Sequence, residues 1–231
     1  MSTPKGGLTI VATPIGNLGD LSPRAAQALE AAEQWIVEDT RVSGKLQAHL
    51  GFKRPMRVLN DHTGPEKVRQ YADEISGGLL VALISDAGTP VVSDPGTDLV
   101  EACVERGVEV DAIPGPSAVT TALTLSGFYV QRFAFLGYAP RKPGPIAELL
   151  ADYQDSAMTL VFFESPHRVG RLLDACSAAL GARRYVICRE LTKAHQQIWR
   201  ATLPETPDEK QVPYKGEVTV VVEGRRKGLR V

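Results

Sequence analysis

The segment LLVALISDAGTPVVSDPG, residues 79–96, joins an uninterrupted apolar run to a long turn rich in Gly, Pro, Asp and Ser. A short apolar run such as residues 79–84 is typical of a strand buried on both faces, the usual pattern in parallel sheets. The connection that follows, residues 85–96, is longer than the roughly 2 to 6 residues usual in α/β units. Because ligands bind at the carboxyl ends of parallel strands, we predict a ligand loop here.

Outward from this segment, short β runs and helices alternate through the first half of the chain. The β runs occupy residues 8–12, 35–37, 57–59, 79–84 and 109–112, and the helices residues 22–32, 40–50, 64–75 and 97–106. Such alternation predicts an α/β fold with a five-stranded parallel sheet, helices on both faces and right-handed crossovers. Ser22-Pro23 and Asp94-Pro95 are each typical of an N-cap followed by proline in the first helical turn.

Beyond residue 127 the pattern changes to successive strands with few helices between them. Strands are indicated at FAFLGY (133–138), MTLVFF (158–163), YVICRE (185–190), QIWRAT (197–202) and EVTVVVEG (217–224), with helices near 146–153 and 166–180. Strands that follow one another without a crossover helix indicate a mixed or antiparallel sheet. The segment PGPS, residues 114–117, starts a further helix. We therefore predict two α/β domains, residues 1–118 and 119–231.

Composition is typical of a soluble globular protein. The 231 residues are 43% apolar and 23% charged, and no stretch approaches the ~20 apolar residues that span a bilayer. The first apolar run is too short for a signal-peptide core, so we expect a cytoplasmic protein with no membrane segment. Cys103, Cys176 and Cys188 fall inside apolar patterns and are expected to be buried, reduced thiols.

The net charge of −1 conceals an asymmetry between the two halves. Residues 1–120 carry 10 Lys and Arg against 16 Asp and Glu, or −6, whereas residues 121–231 carry 16 against 11, or +5. If a polyanion binds, its phosphates should contact mainly the second half. The basic residues concerned are Arg141, Lys142, Arg168, Arg171, Arg183, Arg184, Lys215, Arg225, Arg226 and Lys227. Each of them can also be read as a solvated surface charge.

Two loops are expected at the carboxyl edge of the first sheet, TPIGNLGD (13–20) and residues 85–96. No G-x-G-x-x-G follows the first β run and no G-x-x-x-x-G-K-[ST] occurs, which disfavours NAD and ATP as cofactors. Gly88 would let a ligand approach the backbone closely, and Pro90 would stiffen the loop. Asp86 and Asp94 could bind hydroxyl or amino groups, although Asp94 could instead cap the next helix.

Seven motifs occur in order along the chain. They are VATPIGNLGDLSPRA (11–25), EDTR (38–41), SDAGTPVVSDPG (85–96), PGPSA (114–118), FFESPHR (162–168), RELTK (189–193) and KGE (215–217). Together they resemble the rRNA small subunit methyltransferase I family, a branch of the tetrapyrrole methylase superfamily, over about residues 8–223. Relatives that methylate porphyrinoid rings usually carry a G-x-G-P-G element where this chain has TPIGNLGD, which resembles the RNA branch.

The resemblance implies a two-domain methyltransferase that binds S-adenosylmethionine in a cleft between its domains and usually works as a homodimer. The implied reaction is 2′-O-methylation of a cytidine in the decoding region of 16S rRNA, so the implied partner is 16S rRNA or the small ribosomal subunit. We expect no metal. The expected cofactor-binding residues are Ser85, Asp86, Ala87, Gly88, Thr89, Pro90, Pro116, Ser117, Ala118, Phe163 and Glu164. The expected RNA-binding residues are Asn17, Arg41, Arg141, Lys142, Arg168 and Arg189.

Methylation of a ribose hydroxyl benefits from a base, or from a cation that favours the alkoxide. The catalytic candidates are Glu190, Lys193, Lys215 and Asp39. Simpler interpretations stay open: Glu190 could pair with Arg189 at a strand end, and Asp39 could cap the second helix and pair with Arg41. Two other functions also stay open, namely methylation of a tetrapyrrole ring and RNA binding without catalysis.

Overall fold

The computed structural model describes residues 6–226, so Lys227 of the basic tail lies outside the described residues. The chain divides into two compact units, one ending at Ser117 and the other starting at Ala118, one residue before the predicted boundary. Within the described range, no helix is both long and apolar enough to cross a membrane.

The first unit is a five-stranded parallel sheet with four helices, as predicted. Its strands are β1 (Gly7–Val11), β2 (Gln34–Val37), β3 (Met56–Val58), β4 (Leu80–Ile84) and β5 (Glu109–Ile113). Its helices are α1 (Pro23–Ala31), α2 (Thr40–Leu50), α3 (Pro65–Ser76) and α4 (Thr97–Glu105). The strand order is β3-β2-β4-β1-β5, and every neighbouring pair is parallel.

Helices on both faces explain why the β4 run is apolar throughout. Successive strand residues point to opposite faces of a sheet. Leu83 packs with Ile75 of α3 and Leu99 of α4, whereas the next residue, Ile84, packs on the other face with Leu29 of α1. Each face of β4 therefore lies in a separate apolar core.

The two predicted N-caps have different outcomes. Ser22 caps α1, because its hydroxyl oxygen accepts a hydrogen bond from the Ala25 N–H at 3.1 Å. The cap predicted at Asp94 is wrong: α4 has Gly96 at its N-cap and no side-chain cap. Gly96 has φ +129°, a conformation that favours glycine, and it redirects the chain after Pro95 so that Asp94 lies outside the helix.

The second unit is a mixed sheet with three helices, which confirms the expected architecture. Its strands are β6 (Phe133–Tyr138), β7 (Thr159–Glu164), β8 (Arg184–Arg189), β9 (Gln197–Thr202) and β10 (Val218–Val222). Its helices are α5 (Ala118–Ser126), α6 (Pro143–Ala151) and α7 (Val169–Leu180), the last preceded by a 3₁₀ turn, Pro166–Arg168. The order is β6-β7-β10-β8-β9; only β6 and β7 pair in parallel, and the other neighbours are antiparallel.

Strand β10 lies at the centre of this sheet although it is the last strand, in chain order, of the described residues. Its Val220 packs with Leu150 of α6 and Leu173 of α7 in one apolar core. The three cysteines are free and buried, as expected. Burial raises the pKa of the Cys103 thiol to about 11 and those of Cys176 and Cys188 to about 12, so all three stay protonated at neutral pH.

Candidate functional site

In the first unit, β1 and β4 are neighbours whose loops leave toward opposite faces of the sheet. After β1 the chain enters α1, which contributes Leu29 to one apolar core, and after β4 it enters α4, which contributes Leu99 to the other. This divergence marks the topological switch point, where open α/β sheets bind ligands outside the carboxyl ends of their strands. The candidate site therefore lies at the ends of β1 and β4.

Backbone hydrogen bonds join the two loops at this point. The Thr13 N–H donates to the Gly88 carbonyl at 2.8 Å, and the Gly88 N–H donates to the Thr13 carbonyl at 3.1 Å. Gly88 has φ +81°, and a Cβ placed on it would lie 3.2 Å from Cγ2 of Ile15. Thr13 is the first residue of the loop 13–20 that was expected at this edge, and its hydroxyl also donates to the Ser85 carbonyl at 3.4 Å.

The loop after β5 reaches the same edge. The Thr89 hydroxyl donates to the Pro116 carbonyl at 3.1 Å. Gly115 packs so closely that a Cβ there would lie 2.9 Å from the Cβ of Ala12. The first unit thus brings Pro116 against the six-residue run of expected cofactor-binding residues, Ser85, Asp86, Ala87, Gly88, Thr89 and Pro90. Ser117 ends this unit, and Ala118, Phe163 and Glu164 belong to the second.

Two non-glycine residues of the loop have left-handed backbone conformations. Val91 has φ +73° and Ser93 has φ +70°. This conformation is uncommon for non-glycine residues and especially so for a β-branched one, and it persists only where surrounding contacts impose it. The loop is therefore held in one specific shape, which is typical of ligand-binding segments.

Three carboxyl groups cluster at this edge, two of them in the loop itself and the third on Glu38 beside it. The Asp39 N–H donates to Oδ1 of Asp86 at 3.1 Å, and the Asp86 N–H donates to Oε2 of Glu38 at 3.5 Å. Burial raises the pKa of Glu38, Asp86 and Asp94, and repulsion from Asp86 raises those of Glu38 and Asp94 further. The edge concentrates negative charge and favours a cationic ligand. Among residues 6–226, no group of three or more His, Cys, Asp or Glu side chains could hold a metal ion.

Glu38 is absent from the site predicted from the sequence. Its position in the sequence could have identified it, because Glu38 directly follows β2 and Ser85 directly follows β4, so both lie at the same edge of the parallel sheet. The residues predicted from the same motif were Asp39, as a catalytic candidate, and Arg41, as an RNA-binding residue.

Glu38→Gln is expected to stabilise the protein at neutral pH. A carboxyl whose pKa is raised on folding contributes stability that is lost as pH rises through the folded value. Glutamine removes the charge and keeps an oxygen that can accept from the Asp86 N–H. Thermal unfolding should show a higher midpoint than wild type at neutral pH, and the difference should vanish below the ordinary glutamate pKa of 4.5. Glu101→Gln on the exposed side of α4 is the control; equal midpoints for both variants at neutral pH would contradict the assignment.

Two expected site residues of the first unit form caps. Oδ1 of Asp39 accepts from the Arg41 N–H at 2.8 Å, and Oδ2 accepts from Arg41 Nε at 3.0 Å, which confirms the interpretation of capping and pairing. Hydrogen bonds from Arg41 lower the pKa of Asp39 to about 2, so this carboxylate is a weak base. Asn17 accepts from the Gly19 N–H at 3.0 Å and caps the 3₁₀ turn Leu18–Asp20.

In the second unit, RELTK and KGE interlock at one end of the sheet. Oε1 of Glu190 accepts from the Lys193 ammonium and from the Glu217 N–H, both at 2.9 Å. Lys193 also lies 3.1 Å from Oε2 of Glu217. The backbone bond from Glu217, followed by the bond from Lys193, lowers the pKa of Glu190. Glu190 is therefore an ionised carboxylate whose Oε1 is already engaged.

Arg189 connects the remaining segments of this end. Its guanidinium donates to Oε1 of Gln197 at 3.2 Å, to the His195 carbonyl at 3.0 Å and to the Lys215 carbonyl at 3.3 Å. The simpler interpretation paired Glu190 with Arg189, but in the structure Glu190 pairs with Lys193. Three catalytic candidates, Glu190, Lys193 and Lys215, thus share one cluster, whereas Asp39 belongs to the first unit.

FFESPHR contains a buried ion pair. The Glu164 side chain is 1% exposed and lies 3.2 Å from the Arg168 guanidinium. Burial raises the pKa of Glu164, and the Ser165 N–H and Arg168 partly offset that rise. Arg168 also donates to the carbonyls of Ala139 and Pro140, and so anchors the loop that carries two other expected RNA-binding residues, Arg141 and Lys142.

Comparison with protein families gives a match to the model for Tetrapyrrole (Corrin/Porphyrin) Methylases over residues 7–207. The fold is similar to that of the methyltransferase CobJ, with a TM-score of 0.71 at 19% identity over 96% of this chain and 97% of that one. It is also similar to uroporphyrin-III-C-methyltransferase from Thermus thermophilus, with a TM-score of 0.67 at 18% identity over 94% of each chain.

Curated relatives are closer in sequence. A protein of Mycobacterium tuberculosis named ribosomal RNA small subunit methyltransferase I is 45% identical over 222 residues, which cover 95% of this chain and 78% of the relative. The protein of the same name from Haemophilus influenzae is 41% identical over 226 residues, which cover 96% and 80%. With these matches over most of its length, the chain belongs to the tetrapyrrole methylase family and, within it, to the ribosomal RNA small subunit methyltransferase I group.

Proposed function

We propose that this chain transfers a methyl group from S-adenosylmethionine to the 2′-oxygen of a cytidine in the decoding region of 16S rRNA. The names of the relatives support an rRNA substrate, and the excess of positive charge in residues 121–231 suits a polyanion. The observation that carries the proposal is the edge of the first sheet, where a glycine loop with little space for a side chain lies beside three partly buried carboxyl groups.

The residues at this edge fit the methyl donor. S-Adenosylmethionine carries a sulfonium charge and, when bound, supplies an electrophilic methyl group. Backbone groups of residues 85–90 and 116 would hold it, since the absence of a side chain at Gly88 allows close approach. Glu38, Asp86 and Asp94 would attract its positive charge. The neutral demethylated product would lose that attraction and leave more readily.

Residues of the second unit would position the acceptor. Holding two reactants in line can contribute several kcal/mol. The lowered pKa values of Glu190 and Asp39 make both carboxylates poor bases, so we assign them positioning roles. Lys193 is paired with two carboxylates, whereas Lys215 is exposed on a segment held by Arg189. Lys215 is our candidate for stabilising the negative charge that develops on the ribose oxygen as its proton passes to solvent water.

The expected RNA-binding residues fall into two groups, those that would contact phosphates and those that would position other segments. Arg41, Arg141 and Lys142 are exposed and would contact phosphates, with Asn17 beside the first-unit edge. Arg168 and Arg189 donate to backbone carbonyls and would position the segments that make those contacts. We further propose that the protein is cytoplasmic, where ribosomal subunits are assembled, and that it works as a homodimer.

The test is methyl transfer from tritiated S-adenosylmethionine to 30S subunits from a strain that lacks the corresponding enzyme, followed by mapping of the label. We expect label on one cytidine of 16S rRNA, resistant to alkaline cleavage of the adjacent phosphodiester as a 2′-O-methyl group requires. Transfer to a precorrin but not to 16S rRNA would instead support methylation of a tetrapyrrole ring, the alternative function. No transfer to either substrate would refute the enzymatic assignment.

A further inference from the structure

A second charged surface lies at the other end of the second sheet, away from RELTK and KGE. β8 runs from Arg184 to Arg189, so its two ends are separated by roughly 17 Å. β10 ends beside the start of β8, since Val222 pairs with Tyr185. The surface around this end, which we call the arginine–tyrosine surface, consists of Phe128, Tyr129, Arg184, Arg225 and Arg226.

One largely buried carboxylate holds two of these arginines. Glu223, whose side chain is 10% exposed, accepts from Arg184 Nε at 2.7 Å and from its terminal nitrogen at 2.6 Å. The same carboxylate lies 3.3 Å from Arg226 Nε. Both guanidinium groups are thus positioned before any ligand arrives, which lowers the entropy lost on binding.

Each of these guanidinium groups lies near an aromatic ring. Arg184 is 5.2 Å from the centroid of Phe128, and Arg226 is 5.8 Å from the centroid of Tyr129. The Thr159 hydroxyl donates to the Tyr129 carbonyl at 2.7 Å and fixes the backbone there, while Tyr129 remains 42% exposed. Exposed rings flanked by arginine are surfaces on which unpaired bases stack.

The third arginine can exchange its partner. Arg225 pairs with Asp155, and the two side chains are 57% and 76% exposed. Exposed pairs of this kind contribute little to stability, so a phosphate could replace Asp155 at small cost. A phosphate would in addition gain from the nearby charges of Arg184 and Arg226.

We propose that the arginine–tyrosine surface binds an unpaired RNA segment, with a base stacked on Tyr129 and phosphates on Arg184, Arg225 and Arg226. This inference rests on the proposed function, because the rRNA substrate is the polyanion concerned. The surface lies at the opposite end of β8 from the candidate catalytic cluster. It therefore contributes to binding of an extended substrate and not to the methyl-transfer step.

The test is fluorescence anisotropy with a fluorescein-labelled single-stranded RNA of decoding-region sequence, titrated at several salt concentrations. Tyr129→Ala should weaken binding about tenfold, and Tyr129→Phe should bind like wild type because it keeps the ring. The double variant Arg225→Gln, Arg226→Gln should make the fall of log K with log salt less steep by about 1.4, because each of the two lost phosphate contacts contributes about 0.7 to the slope. Arg69→Gln, an exposed change on α3 of the first unit, is the matched control.

Wild-type affinity and salt slope in the Tyr129→Ala and double Arg variants would overturn the inference, as would an equal loss in the Arg69→Gln control. Calorimetry with S-adenosylmethionine and thermal unfolding should show both variants to be folded and donor-competent. In the 30S assay the variants should raise KM and leave kcat unchanged. If the wild-type protein binds RNA through this surface but methylates no rRNA, the proposed function is wrong and this inference stands. If the wild-type protein methylates rRNA and the variants bind RNA normally, this inference is wrong and the proposed function stands.

Discussion

Gly88→Val should weaken S-adenosylmethionine binding by about a hundredfold or more. Gly88 has φ +81°, and a β-branched residue there carries backbone strain of about 1–3 kcal/mol. The new side chain would also press on Ile15 and disturb the hydrogen bonds between Thr13 and Gly88, so we expect a combined effect of about 3 kcal/mol on binding. Isothermal calorimetry with purified protein measures it, and Asp86→Ala added to Gly88→Val should leave no detectable heat.

Gly107→Val is a matched control for this experiment. Gly107 has φ +68°, so valine carries the same kind of backbone strain, but no atom lies within 4 Å of its Cβ position. It precedes β5 and therefore lies at the amino edge of the sheet, away from the candidate site. Gly107→Val should lower stability and leave donor affinity unchanged. Equal affinities for the two valine variants would mean that the donor binds elsewhere.

Arg168→Ala should lower the free energy of unfolding by about 3 kcal/mol at neutral pH. The substitution leaves Glu164, with 1% of its side chain exposed, as a buried charge without its partner. It also removes the hydrogen bonds to the Ala139 and Pro140 carbonyls. Burial already raises the pKa of Glu164, and loss of Arg168 should raise it further. The stability deficit should therefore shrink as pH falls through that raised value, because the protonated carboxyl tolerates burial.

Urea unfolding across a pH series measures this effect. Arg171→Ala is the control, since Arg171 donates to the Arg141 carbonyl from an exposed position and should cost less than about 1 kcal/mol. Glu164→Gln combined with Arg168→Ala should recover part of the loss by removing the buried charge. Equal stabilities for Arg168→Ala and Arg171→Ala at neutral pH would show that the ion pair is not structural.

The first unit could be predicted closely because its strands alternate regularly with helices and because β2 and β4 are largely buried. Runs such as residues 79–84 carry a strong apolar signal, and every helix and strand boundary of that unit lies within one residue of the predicted position. Strand order could not be predicted, since it depends on pairings between distant segments such as β1 with β4 and β5. In the second unit, α6 begins at Pro143, three residues earlier than predicted, because proline is well suited to the first helical turn.

The candidate site was predictable where side-chain identity carries the information. The resemblance to the methyltransferase family, carried by motifs such as SDAGTPVVSDPG and PGPSA, selected residues 85–90 and 116, and the structure places Thr89 in contact with Pro116. Glu38 was not predicted as a site residue, because only its position after β2, at the sheet edge that it shares with the loop, brings its carboxyl group to the site. The expected pairing of Glu190 with Arg189 was wrong for another reason. The two hydrogen-bond partners of Glu190, Lys193 and the Glu217 N–H, are 3 and 27 residues away in the chain, and only folding brings the second of them close.

The central position of β10 has a consequence for the order in which the two units fold during synthesis. The sheet of the first unit is complete once residue 113 is available, and its last-made strand, β5, lies at an edge. The second sheet lacks its middle until residues 218–222 have been made, since β7 and β8 pair with β10 and not with each other. Domains generally fold as they emerge, at about 5–20 residues per second. The first unit should therefore be native several seconds before the second, which must wait until residues 218–222 have been made.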